Sequence, residues 1–298
     1  MVHYDKCPLC NSEDIGDWLH VPDHFLTGEQ FPLMRCSCCG FIFTQDHPDG
    51  SEIDRYYESA DYISHNDSAG GLSAYLYRIV REFMLRRKRK MVCRKTGLRN
   101  GNILDIGSGT GHFLSAMKTR GWNVKGIEIN DKARAFSIAE FGLDVNPPEN
   151  LGLLPPDSFD AITLWHVLEH FQDPFIFASE IVRLLKQDGV CLVALPNSSS
   201  FDASHYNEFW AAYDVPRHLW HFTPETFKLF AEKNGFAIIS VRSLPLDIIY
   251  ISMLSEKYKG SRFSFLKGMI MGLGFAFLSL FKKRNNSSLI YSLHKKEI

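Results

Sequence analysis

The sequence is short of the features that settle several function classes at once. It has no charge excess: 33 Lys and Arg against 34 Asp and Glu leave a formal net charge of −1. That excludes the global positive field of a general nucleic-acid binder. The opening Met-Val-His-Tyr-Asp-Lys-Cys lacks the apolar run of a secretory signal. The cysteines form no even-numbered framework. There are seven, and five of them fall at positions 7, 10, 36, 38 and 39, a pattern expected of reduced thiols in a cytoplasmic protein and not of a disulfide scaffold. No internal repeat is present. The longest apolar stretch, residues 268–281, is about one third short of the roughly 20 residues that cross a bilayer.

What is present is a chain that is 45% hydrophobic and 13% aromatic, enough to build a substantial core. Residues 1–45 carry the cysteine cluster and little helical periodicity. Residues 46–97 divide into a polar, tyrosine-rich linker (Tyr56, Tyr57, Tyr62) and a basic helix over 73–96, with Tyr75, Ile79, Phe83 and Met91 at helical spacing. From 98 to 244 short apolar strands alternate with helices. Strands are expected at 102–106, 123–129, 159–164, 189–195 and 236–243, and helices at 112–120, 131–141, 174–185 and 224–234, the last capped by Thr223. A further strand is expected at 289–295, after an apolar insertion at 245–287. Such alternation implies a mostly parallel sheet covered on both faces.

The most informative segment is Asp105-Ile106-Gly107-Ser108-Gly109-Thr110-Gly111, between a strand and a helix. Glycines allow a tight turn and close approach of a ligand to the backbone. Glu128, at the end of the next strand, is placed to accept hydrogen bonds from ribose hydroxyls, and Asp105 to order the loop and face a cation. A dinucleotide turn needs Gly-x-Gly-x-x-Gly. Here the third glycine comes one residue early, and His112 stands where it would fall. The remaining alternative is a structural glycine turn of another α/β protein.

With "ILDIGSGTGHFL", "VKGIEIN", "FDAITLWHVLEHFQDP" and "LVALPN" in hand, residues 98–243 resemble the class I S-adenosylmethionine-dependent methyltransferases. The resemblance implies a Rossmann-like seven-stranded sheet whose last strand is antiparallel. It implies that Gly107, Ser108, Gly109 and Gly111 wrap the methionine part of the cofactor, that Glu128 binds ribose, and that Ile129 packs on adenine. It places Trp165 and His166, with Val167, beside the cofactor near the substrate mouth. The implied chemistry is displacement at an activated sulfonium carbon. It requires in-line positioning and, for some acceptors, removal of a proton. His218 and His221, in "RHLWH", and His166 are the candidate bases, because the segments that carry them follow strand carboxyl ends, where α/β sheets bind ligands. The competing reading has these histidines hydrogen-bonding an aromatic loop (Trp210, Tyr213, Trp220, Phe222), and His170 anchoring a helix start.

Cys7-Pro8-Leu9-Cys10 and Cys36-Ser37-Cys38-Cys39 form two Cys-x-x-Cys knuckles. Cys7, Cys10, Cys36 and Cys39 together are expected to make a closed, structural tetrahedral zinc site, with Cys38 to spare or in place of Cys39 in an irregular knuckle. A zinc ribbon ahead of this core resembles the zinc-containing sugar methyltransferases, where it covers the substrate side, although their Tyr-His-Glu-His run is absent. The resemblance suggests a small or glycan-linked acceptor, such as a nucleotide sugar or a lipid-linked saccharide. Nucleic acid is not expected, because the ribbon is acidic to neutral. The basic helix reads as a solvated face, with anionic lipid or RNA as alternatives. Residues 263–284 read as a lid, an oligomer contact or a membrane-surface segment, the last making the protein peripheral to a membrane. Two rivals stay open: an RNA or protein methyltransferase, and a non-catalytic scaffold that docks on a membrane or partner.

Overall fold

The computed structural model describes residues 1–50, 52–57, 72–244 and 246–296, with side chains from residue 78 onward in the first long helix. Tyr62 and the side chain of Tyr75 lie outside the described residues. Three short strands, β1 (Ile15–Pro22), β2 (Gln30–Cys36) and β3 (Ile42–Thr44), precede the basic helix α1 (Leu72–Thr96). The alternating region then runs β4 (Asn102–Ile106), α2 (His112–Lys118), β5 (Asn123–Ile127), α3 (Asp131–Phe141), β6 (Val145–Asn146), β7 (Phe159–Trp165), α4 (Pro174–Leu184) and β8 (Leu185–Pro196). After it come α5 (Phe201–Tyr206), β9 (Trp220–His221), α6 (Pro224–Lys233), β10 (Phe236–Ser243), the helices α7 (Asp247–Tyr258) and α8 (Ser264–Phe281), and β11 (Ser288–Lys295).

Local chemistry sets most of these limits. The Asn130 side chain accepts the Ala133 N–H to start α3, and Gly142, at φ 57°, ends it. Asp173 accepts two N–H groups ahead of Pro174 at the start of α4. Thr223 and Thr226 form a reciprocal capping box on α6. β8 begins four residues before the expected 189, extending through the polar Lys186-Gln187-Asp188. Strand β6 carries no readable signal, since two residues have no periodicity.

Seven strands form one sheet in the order β10-β11-β8-β7-β4-β5-β6. β11 runs antiparallel to both β8 and β10, and the other neighbouring pairs are parallel. This is the mostly parallel sheet expected from the alternation, in the seven-stranded Rossmann-like form with an antiparallel last strand that the resemblance implies. The chain leaves β4 toward β5 and β6, then returns on the other side of β4 as β7. A crevice therefore opens at the carboxyl ends of β4 and β7, where the strand order reverses and α/β sheets bind ligands.

The N-terminal sheet is antiparallel in the order β1-β2-β3-β9. Its fourth strand comes from the loop after β8: Ile42 pairs with His221, and Phe43 with Trp220. The ribbon therefore extends beyond residues 1–45 in space. Its Cys7, Leu9, Phe41 and Phe43 share one apolar cluster with Leu164, Phe222 and Phe227 of the large domain.

Candidate functional site

The glycine turn leaves β4 at Ile106, and its first two N–H groups, of Gly107 and Ser108, both donate to the Ile127 carbonyl at 2.7 and 3.0 Å. Gly107, Gly109 and Gly111 all have positive φ (73°, 54° and 79°), where side chains are strained. Their surroundings differ. A Cβ on Gly107 would lie 2.3 Å from a methyl of Val167, and one on Gly111 2.6 Å from Leu143; one on Gly109 would meet nothing within 4 Å. Two glycines are thus closed in by the fold, and the middle one faces the open crevice where a ligand would approach.

Glu128 stands at the rim. One carboxylate oxygen accepts the Gly109 N–H at 2.7 Å and the other the Asn130 N–H at 2.8 Å. Ile129 beside it is 78% exposed, available to pack on a flat ring. Below the turn, buried Asp105 accepts a 2.5 Å hydrogen bond from Thr163. Burial pushes its carboxyl up to about 7, against the opposing effects of Thr163 and Lys88.

The far wall is the segment after β7. Trp165 packs edge-on against Phe113, 5.5 Å between ring centroids, and Lys88 of α1 lies 4.4 Å from the Trp165 ring centroid. Burial lowers the Lys88 ammonium, while Asp105 and Asp247 oppose that. His166 has φ 59°, unusual for a non-glycine residue. Its Nε2 lies 3.1 Å from Asp247 Oδ2 and its Nδ1 3.5 Å from Glu169 Oε1. Burial alone would lower its pKa, but the two carboxylates outweigh it and raise it to about 9. His166 is thus held between two carboxylates that favour its charged form, an arrangement suited to anchoring.

His221 sits in a different setting. It is buried in β9, bonded at 3.0 Å to Thr44 of the ribbon and set edge-on to Tyr213. Burial drops its pKa to about 3. It is a neutral strut between the ribbon and the loop. His218 keeps the candidacy. Its Nδ1 donates to the Ala212 carbonyl at 2.8 Å, which fixes the tautomer and leaves Nε2 as the acceptor. The His170 ring meets it edge-on at 4.5 Å. Glu169, fully buried, joins the two histidines in a group whose donor atoms lie within 4.8 Å of one another, a set able to take a divalent cation. Burial would raise the Glu169 carboxyl, but the surrounding imidazoles, His166 first, hold it below the usual range.

The cysteine cluster has the geometry its spacing implies. Cys7 and Cys39 sulfurs are 3.6 Å apart, Cys10 and Cys36 3.5 Å, and all four lie within 4.8 Å of one another. A zinc tetrahedron with bonds of about 2.3 Å has edges of about 3.8 Å. Cys38 is exposed and outside the group.

Several site residues had no sequence signal. Lys88 sits in a run of cations that reads as solvated. Asp247 begins the apolar insertion, 81 residues from His166. Arg217, 1% exposed, is bound to Asp23 of the ribbon at 2.8 Å and to Asp214 at 2.6 Å, and donates to the Tyr56 carbonyl at 3.0 Å. These pairings join distant segments, which no spacing rule reports.

A glycine turn with one open glycine, an acid at the rim and a wall supplied by the strand beyond the switch point define a class I methyltransferase site. Residues 76–241 match the family described as "Methyltransferase domain", and the chain belongs to it. It is 27% identical over 170 residues to a protein of Cupriavidus pinatubonensis named ubiquinone biosynthesis O-methyltransferase, covering 52% of this chain and 68% of that one. It is 32% identical over 110 residues to the like-named protein of Psychrobacter arcticus, covering 34% of this chain and 43% of that one. The chain thus spans less than half the length of several curated relatives it matches. In fold, it is similar to phosphoethanolamine N-methyltransferase 2 of Haemonchus contortus in complex with S-adenosyl-L-methionine, with a TM-score of 0.53 and 17% identity over 95% of this chain and 69% of that one.

Proposed function

We propose that the protein transfers the methyl group to a small or glycan-linked acceptor, a nucleotide sugar or a lipid-linked saccharide, with zinc held by Cys7, Cys10, Cys36 and Cys39 as a structural element. The observation that carries this reading is the β3–β9 pairing. It fastens the ribbon to the loop that follows the carboxyl end of β8, the side where α/β sheets bind ligands, and on this reading the ribbon walls the acceptor side. A walled crevice suits a compact acceptor better than a polymer. The curated relatives are named for O-methyl transfer in ubiquinone biosynthesis, which is also small-molecule chemistry. Three cations of the basic helix make contacts within the fold, Lys88 onto Trp165, Lys95 onto Ser240 and Arg81 onto His112, while Arg78, Arg86, Arg87, Lys90 and Arg94 form an exposed face.

S-adenosylmethionine supplies an activated methyl group when bound. The chain's own residues do the rest. Gly107, Gly109 and Gly111 shape the cradle, Glu128 holds ribose, Ile129 and Trp165 flank the ligand, and cationic His166 ties the mouth to Asp247. His218 Nε2 is the group placed to take a proton from the acceptor, with Glu169 stabilising the imidazolium that forms.

Titration calorimetry with adenosylmethionine and its demethylated product tests the core of this reading. Glu128→Ala is expected to weaken both by roughly 10- to 100-fold, the worth of charge-assisted hydrogen bonds. An unchanged affinity refutes the ribose role. Incubation with labelled methyl donor and a panel of nucleotide sugars and lipid-linked saccharides tests the acceptor. Label appearing only in RNA or protein overturns that half of the proposal.

A further inference from the structure

Helix α8 is amphipathic in an inverted sense. The face it packs against α7 is narrow and small: Gly268, Gly272, Phe275 and Ser279 are buried. A Cβ on Gly268 would lie 2.4 Å from the Met253 Cα, and one on Gly272 2.7 Å from the Ile249 Cα. The glycines thus let two backbones meet closely, and with Phe275 buried and Met271 packed beside it on the same cluster, the other large aliphatic and aromatic side chains of the helix turn outward. The outer stripe of Leu266, Ile270, Leu273, Phe277 and Leu280 is between 53% and 66% exposed. It runs the length of an 18-residue helix, about 27 Å at 1.5 Å per residue.

Charge at the ends of the stripe points to what covers it. From residue 257 to residue 284 there is no Asp or Glu. Exposed Lys257, Lys259 and Arg262 flank one end, and exposed Lys282, Lys283 and Arg284 the other. A second copy of the helix laid along the stripe, in either direction, would set cations against cations. An anionic headgroup layer meets both clusters favourably while the stripe enters the acyl boundary. The hairpin also stands at the acceptor side. Phe275 packs against His205 and Tyr206 of α5 at ring-centroid distances of 5.4 and 6.1 Å. Ser255 of α7 accepts the Ala211 N–H at 2.9 Å, and Asp247 at the root of α7 holds His166.

We infer that the α7–α8 hairpin lies on an anionic membrane surface and that the acceptor is the lipid-linked member of the proposed class, entering the crevice from the bilayer. This rests on the methyl-transfer reading only for the identity of the acceptor; the docking itself does not.

Co-sedimentation with phosphatidylcholine vesicles, with and without phosphatidylglycerol, tests it, with adenosylmethionine titration run on the same proteins. The wild type is expected to sediment with the anionic vesicles, and more weakly at high salt. The double variant Leu273→Glu, Phe277→Glu, on exposed positions, is expected to lose at least about tenfold in vesicle affinity while binding adenosylmethionine as before. Replacing Lys282, Lys283 and Arg284 by Gln is expected to give a smaller loss and a flatter salt dependence. Wild type that stays in the supernatant, or a Glu variant that sediments like the wild type, overturns docking. A wild-type dimer that the Glu substitutions convert to monomer, without vesicle binding, assigns the stripe to a second copy and also overturns it. Vesicle binding without adenosylmethionine binding leaves docking standing and removes the methyl-transfer reading.

Discussion

The two sides of the crevice are built on different principles. The cofactor side is assembled from neighbours in the chain. Gly109 and Glu128, which bond each other, are 19 residues apart, and the turn, the rim acid and the exposed Ile129 belong to one strand–helix–strand unit. The acceptor side is assembled across the chain. Asp23 and Arg217 are 194 residues apart, Thr44 and His221 are 177 apart, and His166 and Asp247 are 81 apart. A backbone cradle needs glycines at fixed offsets and little else. A walled mouth needs charged and aromatic side chains from several segments, and each must be neutralised as it is buried. The cofactor side can therefore persist while the acceptor side is rebuilt around another substrate.

Metal removal should separate the two sides most sharply. Structural zinc contributes on the order of 10 kcal/mol to folding of small modules. Cys39→Ser is expected to lose stoichiometric zinc and to make the first 44 residues susceptible to protease, while adenosylmethionine affinity in the remaining core changes by less than about tenfold. Cys38→Ser is the control, with full zinc content by mass spectrometry. Zinc loss in Cys38→Ser and retention in Cys39→Ser would reverse the ligand assignment.

Next in size is the buried ion group. Asp23→Ala strands the Arg217 guanidinium, whose charge is otherwise balanced by Asp23 and Asp214. It should cost about 3–5 kcal/mol in denaturant unfolding. A cost under 1 kcal/mol would mean that the ribbon is not held through this contact.

Within the cradle, Gly107→Ala and Gly109→Ala should behave differently. Both positions have positive φ, so each pays about 1–3 kcal/mol of backbone strain. Only Gly107→Ala also drives a methyl into Val167, adding roughly 1–3 kcal/mol to its loss of stability. Gly109→Ala is expected to weaken adenosylmethionine at least about tenfold at near-normal packing, because its methyl enters ligand space. Equal stabilities for the two variants would dissolve the distinction between closed and open glycines.

The smallest effect is on pH. The folded pKa of His166, about 9, lies above its ordinary value of 6.5. Its ion pairing with Asp247 therefore stabilises the fold fully below pH 6.5, and that contribution is lost as pH rises through about 9. Asp247→Asn should lower the His166 pKa measured by NMR. It should also shrink the stability gap from wild type between neutral and alkaline pH. A pKa unmoved by the substitution would place the control elsewhere.

The limits of what could be read in advance follow the same division. The strands at 102–106 and 236–243, the helix at 131–141 and the Thr223 cap fell where periodicity and capping chemistry put them. The glycine turn and the place of Glu128 beside it were legible because both depend on backbone conformation and chain spacing. The four zinc-pattern cysteines were legible because a knuckle is a local turn. The charge of His221 and His166 was not legible, because it is set by contacts made on folding: Thr44 for His221 and Asp247 for His166 lie far away in the sequence, and only the fold turns Glu169, three residues on, toward the His166 ring. Lys88 was hidden among similar cations, since only packing decides which one turns inward.

The sequence by itself determined the layered α/β core, the cofactor turn and the cysteine cluster, each specified by residues a few positions apart or by the repeat of strand and helix. Only the tertiary structure decided that the ribbon borrows its fourth strand from residues 220–221, which carboxylates face each histidine, and which face of α8 is left uncovered. Those outcomes depend on burial and on charge pairing between distant segments, and both exist only once the chain has folded.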